Sequence, residues 1–157
     1  MEYEVFLDMD GCICGFVEQY CKYAGTTPDE VYYIYKNDIP KFWQPINDGG
    51  VEFWSEMAWM KDGKELWEYV KQYNPTILTA PSRGDACPTG KRIWIKRELG
   101  DIPTLIESDK YKYSGENKIL IDDTKSKIDP WIEAGGIGIL HVSTEDTINK
   151  LKGIMGI

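Results

Sequence analysis

Apolar residues gather into five short, β-rich runs, at residues 4–7, 76–79, 102–106, 118–121 and 137–142, each ending in a polar or small residue. Runs that are apolar at nearly every position, and not only at alternate ones, predict strands of a parallel sheet covered on both faces. After the second, fourth and fifth runs the spacing turns helical. Residues 87–99 set Ile93, Trp94 and Leu99 at near-helical intervals and stop at Gly100, and residues 126–134 stop at Gly135 and Gly136. Strand alternating with helix predicts an α/β fold: a Rossmann-like, doubly wound, parallel sheet of five strands.

The first crossover breaks that rhythm. Residues 8–75 part the first two runs, far more chain than the dozen or so residues a parallel connection needs. The pattern therefore predicts a core of residues 1–14 and 74–157 with a small α-helical cap, residues 15–73, inserted after strand 1. Within the cap, 15–23 reads as a helix. Thr27, Pro28, Asp29 and Glu30 form a capping box with proline at the first helical position, opening a helix over 28–36. Helical patterns also cover 51–60 and 64–73, whereas 37–50, rich in Pro, Gly, Asn and Asp, reads as loop. Aromatic residues crowd this insert, among them Tyr20, Phe42, Trp43, Phe53 and Trp54. Most serve the cap's own core, and the surplus is available to a flat ligand.

Composition narrows the partners. The 157 residues are 42% hydrophobic, enough for one sizeable core, and carry a formal charge of -8 with a pI near 4.7. Lys and Arg are scattered, which argues against a protein that tracks a long nucleic-acid backbone. A small anionic ligand would need a metal ion and a few placed cations. The four cysteines, Cys12, Cys14, Cys21 and Cys87, show no CxxC spacing, and without a second Cys/His pair they read as small buried side chains, not as a soft-metal site. No run reaches membrane-spanning length and no signal-peptide pattern opens the chain, so the expectation is a reduced cytoplasmic protein.

Candidate chemistry lies at the strand ends. The first strand runs into Asp8 and Asp10, then Gly11; residues two apart on extended chain face one side, so both carboxylates can approach one reacting group. They read as a nucleophile and a proton shuttle. The fourth strand ends in Asp122 and Asp123, and in an open α/β sheet the carboxyl ends of the strands are where ligands bind. Four converging aspartates make a magnesium site, because a hard cation with oxygen ligands offsets their charge. A calcium loop would need oxygen ligands where Cys12 and Cys14 stand, and a simple hairpin at Asp10 and Gly11 leaves Asp122 and Asp123 unexplained. Thr79 ends the second strand and, with the backbone around Ala80, suits a phosphate oxygen, although a plain turn is the commoner use of such a threonine. Lys91 is expected in the first turn of the next helix, where the dipole gains nothing from a cation, so an anionic partner or a solvated surface explains it. The one histidine, His141, falls in the fifth run and reads as structural.

Taken in order, DMDG at 8–11, Thr79, Lys91 and IDD at 121–123 resemble the four motifs of the haloacid dehalogenase (HAD) superfamily. More closely, DMDG followed by Phe16, TAP at 79–81 and CPTGK at 87–91 with Trp94 look like the 5'(3')-deoxyribonucleotidases. The chain departs from that pattern at Cys12 and Cys14, where aliphatic or small residues are expected. The resemblance implies a HAD-like core with strand order 5-4-1-2-3 and the insert as its cap. It also implies a magnesium-dependent phosphomonoesterase acting on deoxynucleoside monophosphates through an aspartyl-phosphate. Asp8 and Asp10 are then catalytic, and the metal is held by Asp8, the main-chain carbonyl of Asp10 and Asp123, with Asp122 orienting the shell. Thr79, Ala80 and Lys91 hold phosphate, Ser82 and Arg83 assist, and Phe16, Phe42, Trp43, Phe53 and Trp54 line the substrate pocket. The alternatives are a phosphatase for another small monoester, such as a sugar phosphate or a nucleic-acid 3' end, and a non-catalytic magnesium-binding module.

Overall fold

The computed structural model describes residues 2–157, and its strands are β1 (Glu4–Leu7), β2 (Thr76–Thr79), β3 (Thr104–Ile106), β4 (Lys118–Asp122) and β5 (Ile137–Leu140). They form one parallel sheet in the order β3-β2-β1-β4-β5, the predicted order read from its other edge. The helices are α1 (Phe16–Ala24), α2 (Pro28–Asn37), α3 (Ile39–Ser55), α4 (Gly63–Val70), α5 (Ala86–Glu98), α6 (Lys125–Glu133) and α7 (Thr144–Met155), with 3-10 turns at Lys71–Tyr73 and Lys110–Tyr113.

Two compact units divide the chain: one holds Met1–Cys14, Trp59–Pro81 and Ile102–Ile157, the other Gly15–Ala58 and Ser82–Asp101. In the first, β1 is central, and Val5, Leu7, Ile77, Leu78, Ile119 and Ile121 are fully buried, as a sheet covered on both faces requires. Phe6, Leu78, Leu120, Ile128 and Trp131 pack into one cluster, with Phe6 edge-on to Trp131 at 5.2 Å between ring centres. The indole N–H of Trp131 donates to the Lys118 carbonyl at 3.1 Å, so the ring is fixed at both ends. β3 begins two residues later than expected because Pro103 has no N–H for the ladder, although its carbonyl accepts from Ile77. β5 stops at Leu140, so His141 follows the strand. Its N–H donates to the Asp122 carbonyl, and Ser143 then caps α7 by accepting from the Asp146 amide at 3.1 Å.

The second unit is helical. α3 covers most of the span expected as loop: Asp38 caps it by accepting from the Lys41 amide at 3.1 Å, Pro40 suits its first turn, and Phe42 and Ile46 point one buried face inward. A break at Gly50 (φ 57°, ψ -141°) lets the chain resume as a second helical piece that buries Phe53 and Trp54. α5 crosses α3 closely, because a Cβ at Gly90 would stand 2.5 Å from the Trp54 Cβ. Trp94 Nε1 donates to the Met57 carbonyl (2.7 Å) and Arg97 to that of Ser55 (2.6 Å), which adds polar ties to the crossing.

The unit boundaries differ from the 15–73 cap drawn on the sequence. α5 joins the helical unit through those contacts. α4 belongs with the sheet, since Asp62 at its start accepts from the Thr144 amide at 3.0 Å and Gly63 admits the Ile13 carbonyl where a side chain would collide.

Candidate active site

β1 and β4 are parallel neighbours with Leu7 opposite Ile121, and the Asp8 amide donates to the Ile121 carbonyl at 3.0 Å. Asp8 and Asp122 therefore leave the sheet at the same end, on adjacent strands. Beyond Asp8 the chain closes a tight turn in which the amides of Cys12, Ile13 and Cys14 all donate to the Met9 carbonyl, at 3.1, 2.9 and 3.0 Å. Asp10 sits half-buried in that turn. Gly11 adopts φ +83°, and a Cβ there would lie 1.9 Å from Asp123 Oδ2, so glycine is required both for the turn and for the approach of Asp123.

The centre of the cluster is a residue the sequence did not single out. Lys110, on the 3-10 turn before β4, is buried, with Nζ 2.9 Å from Asp8 Oδ1 and 2.7 Å from Asp122 Oδ2. Burial pulls its ammonium toward neutrality, but the two carboxylates outweigh that and hold it above the ordinary lysine value. Asp122 Oδ1 accepts from the Thr124 amide at 2.9 Å, and the Thr124 hydroxyl reaches Asp123 Oδ1 at 3.2 Å. Asp123 is pushed up to about 7, first by the protein packed around its carboxyl and then by the charges of Asp8 and Asp122. Its side chain keeps contact with solvent, so water screens part of that crowding.

Asp8, Asp122 and Asp123 against Lys110 leave two formal negative charges together, the complement of one divalent cation. Ligand atoms of Asp8, Cys12 and Asp123 lie within 4.8 Å of one another, a spacing one ion can bridge. Asp8, Asp122 and Asp123 are thus brought together, with Asp10 in the adjoining turn. Thr79 ends β2, directly beside β1, fully buried, with its carbonyl accepting from the Glu107 amide at 2.9 Å; Ala80 follows, half-buried. His141 is buried with Nδ1 2.7 Å from Thr147 Oγ1, and burial lowers its affinity for a proton, in keeping with a structural role.

The remaining candidates belong to the helical unit. Phe42 is buried against Tyr20, and Phe53 against Trp54, while Phe16 and Trp43 are half-buried. Phe16 stacks on Trp54 at 5.8 Å between ring centres, and Arg83 lies 5.5 Å over the Trp43 ring. Ser82, half-buried, turns its amide toward Cys87 Sγ at 3.4 Å. Lys91 falls in the second turn of α5, not the first, because the helix already starts at Ala86; it is fully buried, with Nζ 5.2 Å over the Trp54 ring. A solvated surface lysine is thereby excluded.

No model of a protein family matches the sequence, and neither does any curated protein. Solved structures do share the fold. A hydrolase from Streptococcus pneumoniae TIGR4 aligns over 100% of both chains with a TM-score of 0.62 at 15% identity. A protein from Bacillus subtilis, described as a HAD-hydrolase and bound to magnesium, aligns over 100% of both chains with a TM-score of 0.59 at 12% identity. A HAD-superfamily hydrolase from Ehrlichia chaffeensis aligns over 99% of both chains with a TM-score of 0.53 at 14% identity. At such identities the likeness is one of fold. Among the described residues, no helix is long and apolar enough to cross a membrane.

Proposed function

We propose that this chain is a HAD-type, magnesium-dependent phosphomonoesterase whose substrates are small phosphate monoesters, deoxynucleoside monophosphates foremost. The observation that carries the reading is Asp8 held beside the Lys110 ammonium at the end of β1, next to Asp122 and Asp123. A carboxylate held beside a cation stays ionised, and an ionised carboxylate is the nucleophile phosphoryl transfer needs.

Asp8, Asp123 and the backbone of Asp10 would hold the ion, which supplies charge neutralisation on the phosphoryl oxygens. An oxygen of Asp8 attacks phosphorus while the ester P–O bond breaks, and Asp10 gives its proton to the departing alkoxide. Water then attacks the aspartyl-phosphate, Asp10 takes back a proton, and inorganic phosphate leaves with Asp8 regenerated. Lys110 keeps Asp8 and Asp122 in register throughout. Thr79 and the amides after it suit the phosphoryl oxygens. The motif resemblance assigns Lys91, Ser82 and Arg83 to the same group, and the half-buried rings of Phe16 and Trp43 to the nucleoside.

Phosphate release from deoxy- and ribonucleoside monophosphates, sugar phosphates and an aryl phosphate, with and without Mg2+, tests the proposal. Release that requires the ion and disappears in Asp8→Asn is expected, with deoxynucleotides ahead. Faster turnover of sugar phosphates would redirect the substrate class, and no release from any monoester would overturn the reading.

A further inference from the structure

We propose that Cys12 is a side-chain ligand of the cation site, so that the site takes thiophilic divalent ions of the zinc and cobalt class in competition with magnesium. Cys12 is fully buried, and its thiol makes no hydrogen bond among the described residues. Its Sγ is nonetheless within 4.8 Å of carboxylate oxygens of both Asp8 and Asp123. That separation is about the diameter of a coordination shell built from bonds of about 2.0–2.3 Å. The main chain that carries the sulfur is held in place, because the Cys12 amide donates to the Met9 carbonyl at 3.1 Å and its neighbours Ile13 and Cys14 donate to the same oxygen. Cys14 is equally buried but takes no part in the cluster, so the placement is particular to Cys12.

The chemistry of such a set is mixed. Two carboxylates suit a hard ion, which prefers oxygen and keeps its waters. A thiolate added to them selects zinc-like ions, for which sulfur is a strong ligand. On binding, the thiol proton passes to solvent and a metal–sulfur bond forms, with no change of oxidation state. A soft ion held this way occupies the carboxylates that magnesium needs, and so holds the enzyme inactive.

The inference rests on the divalent site of the proposed function, and the test separates the two. Purified full-length protein is titrated with Co2+ and followed by absorption, and Mg2+ and Zn2+ binding are measured by calorimetry. A sulfur-to-cobalt charge-transfer band is expected in the wild type and in Cys21→Ser, and its loss in Cys12→Ser. Zinc affinity should fall in Cys12→Ser while magnesium affinity is unchanged. If Cys12→Ser does not fold, loss of the band in Asp123→Asn with retention in Cys21→Ser localises the sulfur beside Asp123. Cobalt binding without the band overturns the role of Cys12 and leaves the magnesium site standing. Failure of all three ions to bind overturns both readings.

Discussion

Gly11 and Asp123 compete for one volume: the space a side chain would fill at position 11 is taken by the Asp123 carboxylate, 1.9 Å from the Cβ position. Gly11→Ala therefore combines a left-handed backbone, which costs an L-residue about 1–2 kcal/mol, with displacement of the carboxylate proposed to hold the ion. The expected outcome is a lower melting temperature together with loss of Mg2+ affinity in a calorimetric titration. Unchanged affinity would remove Asp123 from the ion's shell.

Lys110 is the counter-charge for two buried carboxylates. Lys110→Met should destabilise the protein by about 3–5 kcal/mol, because Asp8 and Asp122 lose the buried cation between them. Urea denaturation reads the loss. Unchanged stability would mean that the ammonium does nothing to hold the two carboxylates together.

Asp123 gives a pH dependence of defined sign. Its folded-state proton affinity is raised, to about 7, above the ordinary carboxylate value near 3.8, so between those values the folded protein binds more protons than the unfolded chain. Ion-free stability should therefore fall as pH rises from about 4 to about 7 on account of this group, and stay low above that. A divalent ion reverses the penalty, so Mg2+ should raise the melting temperature more at pH 8 than at pH 5. An equal increment at both values would contradict the crowding of Asp8, Asp122 and Asp123.

In the helical unit, Gly90 permits the close crossing of α5 and α3. Gly90→Ala pushes a methyl group against the Trp54 Cβ and the Val51 carbonyl, at 2.5 and 2.6 Å, and should cost about 1–3 kcal/mol by overpacking. A fall in the urea midpoint, with altered near-ultraviolet dichroism from Trp54 and Trp94, is the expected readout. Wild-type stability would mean that the two helices part easily.

Much of the sheet was legible because its strands are short apolar runs, and the aspartates at 8, 10, 122 and 123 stood out by ending two of them. α3 was hidden by Pro45 and the Gly49 and Gly50 pair, which argue for loop locally. Burial of Phe42, Ile46, Phe53 and Trp54 overrides them, and Gly50 absorbs the conflict as a kink. Lys110 was invisible for another reason. It stands in the polar stretch 107–114 two residues from Lys112, yet 2% of its side chain is exposed against 52% for Lys112, and no local pattern separates them. The only hint was the need for a cation beside carboxylates expected at neighbouring strand ends. Cys12 looked like filler because the groups around it are carboxylates, one of them Asp123 far along the chain, and not other cysteines.

The central place of β1 also shapes how the molecule is made. This strand leaves the ribosome before either of its neighbours, β2 and β4, so its Val5, Phe6 and Leu7 wait with both hydrogen-bonding edges open while the whole stretch up to β2 is still being translated. The nascent chain is thus most vulnerable to mispairing in that interval, and a holding chaperone would find its best grip there.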